Sequence, residues 1–472
     1  MRIAHLSSEV VPFSKTGGLA DVAGALPSAL AALGHDVTVV APGHRTSLKE
    51  TLPGESQAEV IALGLTARLN VVRHRGVRVV LLDCPVLYVR PALYSLPDGD
   101  FPDNAVRFAF FAQAALTALA KLGGTDIVHA HDWQAALAPL LIRNVPQGPS
   151  SLVGARTVLT VHNLAYQGLF LPWVLEPCGL PKELFNMRLL EFYGQVNFLK
   201  GGLVSADAVT TVSPTYAREI LTPEFGCRLE GVLAERRESL FGILNGIDTD
   251  EWDPAHDKHL ERPYGAADVA AGKRAARELL AKDAGLSSGP RPLLGMVSRL
   301  AEQKGADLLT AALDEVVALG LDLVVLGTGE RRYEEAMRAA QAAHPGHVAV
   351  ITRFDERLAH LIYAASDLFL MPSRYEPCGL GQMIAMRYGA LPVVNRTGGL
   401  ADTVTEASRK GGTGFIMDKL SPAELAATLA RAKQLLGSQA SLAKVRANGM
   451  GRDFSWKASA HEYVKLYEKL LG

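Results

Sequence analysis

The chain has 472 residues, 48% of them hydrophobic, and a formal net charge of −1. That length exceeds one ordinary core and predicts two domains, while the near-neutral balance excludes a general binder of nucleic acid or of charged membrane surfaces. The four cysteines (Cys84, Cys178, Cys227 and Cys378) are dispersed without a C-x-x-C, which points away from a disulfide framework or a zinc knuckle.

In chain order, short β-branched runs alternate with longer Ala/Leu/Glu/Arg-rich stretches. Strands are expected at residues 3–6, 37–41, 77–82, 127–130, 157–161 and 208–212, with a helix at 105–122. After a break come strands at 293–297, 321–326, 348–351, 368–371 and 391–394, helices at 308–319 and 380–388, and a terminal amphipathic helix at 454–470. Continuous apolar strands separated by helices predict parallel sheets covered on both faces. The pattern occurs twice, so the expected class is α/β with two doubly wound, Rossmann-like domains facing a cleft. The hinge is expected near Asn245-Gly246-Ile247-Asp248, ahead of a polar stretch reaching about Tyr264. The first residues enter a strand without a signal-peptide pattern, and no apolar run approaches the roughly 20 residues of a membrane span. A soluble protein of a reducing cytoplasm is expected.

One phrase is written twice. Lys15-Thr16-Gly17-Gly18-Leu19-Ala20-Asp21 near the start matches Arg396-Thr397-Gly398-Gly399-Leu400-Ala401-Asp402 near the end. Each follows a strand and opens a helix. Backbone N–H groups and the helix dipole there favour an anion, and the basic residue adds a full charge. Thr-Gly-Gly can equally be a tight turn. Ser298-Arg299-Leu300-Ala301-Glu302-Gln303-Lys304-Gly305 offers a guanidinium fork and an ammonium at a strand end, which suits a diphosphate. Ser373-Arg374-Tyr375-Glu376-Pro377-Cys378-Gly379-Leu380-Gly381 joins a strand to a helix, with Glu376 placed for sugar hydroxyls or developing positive charge. Cys378 reads more readily as a small buried hydrophobe than as a nucleophile. In His129-Ala130-His131-Asp132-Trp133-Gln134 the two histidines share one face, but the spacing falls short of a hydrolase metal run. Asp132 reads as a hydroxyl acceptor or acid/base group, and His162 in Thr160-Val161-His162-Asn163 as a second polar group or a core histidine. Tyr94 and Trp133 are candidate sugar-stacking aromatics. Asp248-Thr249-Asp250 spells D-x-D but sits where a turn is expected. There is no Walker loop, and no G-x-G-x-x-G follows the first strand.

Taken together, K-T-G-G-L-A-D-V, H-A-H-D-W-Q, V-H-N-L-A-Y-Q-G, V-S-P-T-Y-A-R-E-I, N-G-I-D, S-R-L-x-x-Q-K-G, E-P-C-G-L and R-T-G-G-L-A-D-T, in that order, resemble the bacterial glycogen synthases and plant starch synthases. The resemblance implies the two-lobed GT-B glycosyltransferase fold. Its N-terminal acceptor-side domain would span 1–244 and be joined by the terminal helix 456–472, and its nucleotide-sugar domain would span 245–455. It implies metal-independent transfer of glucose, with retention, from ADP-glucose to the non-reducing end of an α-1,4-glucan such as glycogen. No cofactor, nucleic acid or membrane partner is implied. It assigns the donor contact to Lys15, the diphosphate to Arg299 and Lys304, and active-site roles to Glu376, Asp132 and His162. Gly17, Gly18, Asp21, Asn245, Phe354, Cys378, Gly379, Leu380, Gly381, Thr397 and Gly398 complete the expected substrate-binding set. Two positions depart from the family pattern: Gly381 stands where threonine is usual, and Phe354 where an adenine-stacking tyrosine is common. Ile384 stands where wider retaining enzymes carry a second carboxylate, one that synthases of this type commonly lack. A UDP-glucose-dependent relative, or a glucan-binding one with impaired turnover, stays open on the residues alone.

Overall fold

The apolar runs form strands because a segment buried on both faces has no use for alternation. In the computed structural model, which describes residues 1–96, 99–145, 152 and 154–472, they assemble into two units. The first is Met1–Gly246 with Trp456–Gly472, and the second is Ile247–Ser455.

The first unit carries a nine-stranded sheet ordered Leu240–Gly242, Ala208–Thr211, Arg156–Val161, Ile127–His131, Arg2–Leu6, Asp36–Pro42, Val77–Asp83, Leu65–His74 and Glu55–Ala62. The strands through Val77–Asp83 are parallel. Ile127–His131 is buried along its whole length. The two outer strands correct the expectation of an all-parallel sheet: both run antiparallel to their neighbours. Each is joined by a two-residue turn with both φ angles positive, Leu63 (48°) with Gly64 (73°) and Arg75 (46°) with Gly76 (81°). That geometry suits the twist of a hairpin, and the outermost strand alternates towards solvent.

The terminal helix Trp456–Leu471 belongs to the first unit. Trp456, Ala460, Tyr463, Leu466 and Tyr467 recur on one helical face and share a core with Ile3, Val22, Val37 and Ile127. A fully buried apolar side chain contributes about 1.5–3 kcal/mol, so this face offsets a large part of the entropy lost in ordering the tail. The Ser459 hydroxyl also donates to the Leu244 carbonyl at 2.6 Å.

The second unit holds six parallel strands ordered Val348–Ile351, Asp322–Leu326, Leu293–Val297, Leu368–Met371, Leu391–Asn395 and Phe415–Met417. The stretch expected as one helix at 308–319 is two, Ala306–Ala311 and Leu313–Ala318, interrupted at Ala312 (φ −101°, ψ 11°). Nothing in the local sequence marks that break.

In each sheet the chain reverses its direction of growth once. The reversal lies between Arg2–Leu6 and Ile127–His131 in the first unit, and between Leu293–Val297 and Leu368–Met371 in the second. Ligands of open α/β sheets bind outside the carboxyl ends of strands at such points.

Candidate active site

At the second unit's reversal, Arg299, Lys304, Glu376, Gly379, Leu380 and Gly381 line one cavity of about 170 Å³. Two loops build it. Gly305 turns with φ 73°, and a side chain there would collide with the Pro372 backbone, so the loop carrying Lys304 lies flat against the one carrying Glu376. Lys304 Nζ donates to Glu376 Oε2 at 2.5 Å, and the Ser373 hydroxyl donates to the same oxygen at 2.9 Å. Asn395 from the adjacent strand fixes Ser373 through its carbonyl, at 2.9 Å. The Glu376 side chain is 8% exposed and that of Lys304 19%. Arg299 is solvent-exposed, tethered only to the Gln303 amide oxygen at 3.3 Å among the described contacts. The cavity therefore offers one exposed fork, one held ammonium and one enclosed carboxylate. Cys378 is buried, its carbonyl accepting from the Gln382 amide at 3.1 Å.

Gly381 opens the helix Gly381–Arg387. A Cβ there would stand 3.1 Å from the Phe369 ring and 3.2 Å from Met371 Sδ and the Tyr363 hydroxyl. These side chains fill the space that a larger residue would need. Phe354 does not line the cavity; its ring is 86% exposed on the loop after Val348–Ile351.

The twin phrases differ in use. Around Gly17 and Gly18 nothing lies within 4 Å of an added Cβ, and both are exposed. Gly398 (φ 43°) and Gly399 instead press on the Glu376–Cys378 backbone, where any side chain would collide. The Gly399 N–H donates to the Glu376 carbonyl at 3.1 Å, and Thr397 is buried beside it. The second phrase thus shapes the Glu376 loop. In the first, Lys15 Nζ pairs with Asp21 Oδ1 at 2.7 Å on the helix Gly18–Ala32.

In the first unit, Asp132 and His162 come together at the reversal. Asp132 takes a left-handed conformation (φ 55°), rare for a non-glycine residue and often found at functional positions. Its Oδ1 accepts the His162 backbone N–H at 2.7 Å. Desolvation pushes its carboxyl up to about 7, against backbone N–H bonds that lower it, with the charge of Glu9 adding to the rise. Behind it three rings hydrogen-bond in a row: His5 Nδ1 to His131 Nε2 at 3.0 Å, and His131 Nδ1 to His162 Nε2 at 3.0 Å. His129 bonds the Tyr467 hydroxyl at 2.7 Å and the Thr160 hydroxyl at 2.5 Å. His5, His129 and His131 bring ring nitrogens within 4.8 Å of one another, yet both nitrogens of His129 and of His131 are already engaged.

Two site-forming residues were missed by sequence reasoning. Buried Glu9 accepts from the Thr16 backbone N–H at 2.5 Å and from the Thr16 hydroxyl, and so holds the Lys15–Gly18 loop. Desolvation raises its carboxyl. His5 joins the histidine row through its register opposite His129. The polar run Ser7-Ser8-Glu9 at a strand end was the available signal. Trp133 is corrected: it is 8% exposed and packs edge-on against Phe108 at 4.9 Å, so it is core and not a sugar platform. Tyr94 is half-buried, its hydroxyl 2.7 Å from that of Ser8. Asn245 is buried, its Oδ1 without a partner among the described residues. Asp248-Thr249-Asp250 is a turn, closed by the Asp250 N–H on Asp248 Oδ1 at 3.0 Å.

Residues 2–235 match the family model described as starch synthase catalytic domain, and residues 280–448 that described as glycosyl transferases group 1. A glycogen synthase of Anaeromyxobacter sp. (strain Fw109-5) is 47% identical over 100% of this chain and 99% of its own. Glycogen synthase 2 of Geobacter sulfurreducens is 44% identical over 99% and 98%. The catalytic domain of starch synthase IV from Arabidopsis thaliana, solved bound to ADP and acarbose, superposes with TM-score 0.90 at 33% identity, covering 99% of both chains. A sucrose-phosphate synthase from Thermosynechococcus elongatus shares the fold alone, at TM-score 0.62 and 19% identity over 99% and 98%. The fold is GT-B, and no helix among the described residues is long and apolar enough to cross a membrane. On whole-length identity to enzymes of one activity, the chain belongs to the glycogen and starch synthase family of glucan-building glucosyltransferases.

Proposed function

We propose that this glucan synthase transfers glucose from ADP-glucose to the non-reducing end of an α-1,4-glucan, with retention of configuration and no metal or other cofactor, in the cytoplasm. The second unit, 245–455 in the sequence reading, binds the nucleotide sugar, and the first, 1–244 with 456–472, serves the acceptor side. The observation that carries this is the Lys304–Glu376 pair at the sheet's reversal, with Arg299 beside it. A related starch synthase, solved with ADP and acarbose bound, supports the nucleotide and the glucan.

In this reading Lys304 exchanges part of its bond to Glu376 for the diphosphate, and the Arg299 fork closes on it. Both charges then stabilise the negative charge building on departing ADP; one well-placed donor of this kind is worth about 3 kcal/mol. The anomeric carbon gains oxocarbenium character. Glu376, Asp132 and His162 orient the sugar, and Lys15, Gly17, Gly18, Asp21 and Asn245 complete the ligand contacts. The acceptor hydroxyl attacks on the leaving-group face and passes its proton to a phosphate oxygen. Phe354 offers its open ring to the adenine.

The test is transfer of labelled glucose to glycogen from ADP-glucose and, in parallel, from UDP-glucose, with a chelator present. Label that β-amylase releases as maltose, and strong preference for ADP-glucose, support the proposal. Preference for UDP-glucose, dependence on added metal, or no transfer overturns it.

A further inference from the structure

The row His5–His131–His162 is a chain of three imidazoles with one end sealed and one end open. His5 and His131 are fully buried, while His162 keeps part of its surface exposed. Desolvation holds the rings neutral: His5 and His162 are pushed down to about 3, and His131 well below its ordinary value. A neutral imidazole has one N–H and one bare nitrogen. Three such rings hydrogen-bonded in series have only two self-consistent arrangements, and they differ in every ring.

In one, His162 Nε2–H donates to His131 Nδ1 and His131 Nε2–H donates to His5 Nδ1. The remaining proton then sits on His5 Nε2, an enclosed atom without a hydrogen-bond partner among the described residues. In the other, His5 Nδ1–H donates to His131 Nε2 and His131 Nδ1–H donates to His162 Nε2. The sealed end is then a bare lone pair and the open end is His162 Nδ1–H. A buried N–H without an acceptor is the rarer defect in proteins. The neighbouring groups do not disturb this choice. His129 spends both nitrogens on the Tyr467 and Thr160 hydroxyls, and the Asp132 carboxylate is engaged with the His162 backbone N–H.

We infer that the buried row His5–His131 locks His162 in its Nδ1–H form, so that this ring presents a hydrogen-bond donor to an oxygen of the sugar ligand. His131 and His5 are positioning residues acting through His162. The use made of the donor rests on the glycosyl-transfer reading; the tautomer does not.

The test is a long-range 15N–1H correlation spectrum of the whole enzyme labelled at histidine, without ligand, with His162 assigned by its disappearance in His162→Gln. Expected is a His162 ring protonated at Nδ1 and bare at Nε2. An Nε2–H ring, or a cation, at neutral pH overturns the inference, and this spectrum decides it even if no variant folds. His131→Phe keeps the ring shape but removes the donor, and His162 is expected to turn to the Nε2–H form that a free imidazole favours. Persistence of Nδ1–H would overturn control by the row. His131→Asn, whose amide can stand in for Nδ1–H, is expected to preserve the His162 tautomer and to lose less kcat/KM than His131→Phe, for which a roughly tenfold loss is expected. Equal losses in the two variants, matching equal losses in melting temperature, would mark His131 as merely structural. If no glucosyl transfer is found at all, the spectra still stand on their own.

Discussion

Lys304 Nζ stands 2.5 Å from Glu376 Oε2, joining the loop after Leu293–Val297 to the loop after Leu368–Met371 across the reversal of the second sheet. The pair is half structural, because removal of the lysine leaves an enclosed carboxylate with the Ser373 hydroxyl as its remaining side-chain donor among the described contacts. Lys304→Ala is expected to lower kcat/KM by about 10²–10³-fold and stability by about 1–3 kcal/mol. Adding Glu376→Gln should recover stability but not turnover. Urea unfolding and steady-state kinetics on the three proteins check this; wild-type kinetics for Lys304→Ala would remove it from the site.

The twin glycine phrases make opposite demands. Gly398→Ala forces a Cβ into the Glu376 carbonyl at a left-handed backbone, and a loss of about 3 kcal/mol or more is expected from overpacking and strain together. Gly17 is extended (φ −156°) and surrounded by open space, so Gly17→Ala should shift stability by less than about 0.5 kcal/mol. Thermal melts of both variants separate a packed loop from an open one, and similar losses in the two would refute the distinction.

The parallel strands were legible because burial on both faces leaves an unbroken apolar signature, as at residues 37–41 and 391–394. The hairpin strands Glu55–Ala62 and Leu65–His74 were not. They alternate irregularly, and their turns use Leu63-Gly64 and Arg75-Gly76 in place of the usual Asn-Gly or Asp-Gly. The charged members of the second-unit site were legible because each follows an expected strand. The contacts that organise the first-unit site were not, because they depend on register: His5 meets a ring 126 positions away, and nothing local to either residue records it. Trp133 was misread for a similar reason, since its cover comes from Phe108 and Gly168.

Acid should unfold the first unit. His5, His44 and His162 are pushed down to about 3 by burial, and burial also lowers His129 and His131 well below their ordinary value. Their folded values lie below the unfolded value near 6.5, so between those limits the unfolded state binds more protons. Stability therefore rises with pH through this window. Asp132 and Glu9, both raised, act the other way, but five rings outweigh two carboxyls. Melting temperature should fall steadily as pH drops below about 6.5; a flat or rising profile would contradict the neutral histidine core.

Asp132→Asn isolates the opposing group. Asparagine tolerates the left-handed backbone and retains an acceptor for the His162 N–H. The carboxyl titrates at about 7 folded against 3.8 unfolded. Its ionisation thus weakens the fold as pH rises through that interval. The variant should gain stability relative to wild type above pH 7 and lose that advantage progressively towards about pH 4, while turnover falls by about 100-fold or more. A stability difference independent of pH would show that Asp132 is not the group held near neutrality.

A crystal of the enzyme soaked with ADP and a short maltooligosaccharide tests the central claim most directly. The expected result is a diphosphate within about 3 Å of both Lys304 Nζ and the Arg299 guanidinium, with the adenine against the Phe354 ring. A diphosphate bound away from Lys304 and Arg299, with the Lys304–Glu376 pair undisturbed, would contradict it.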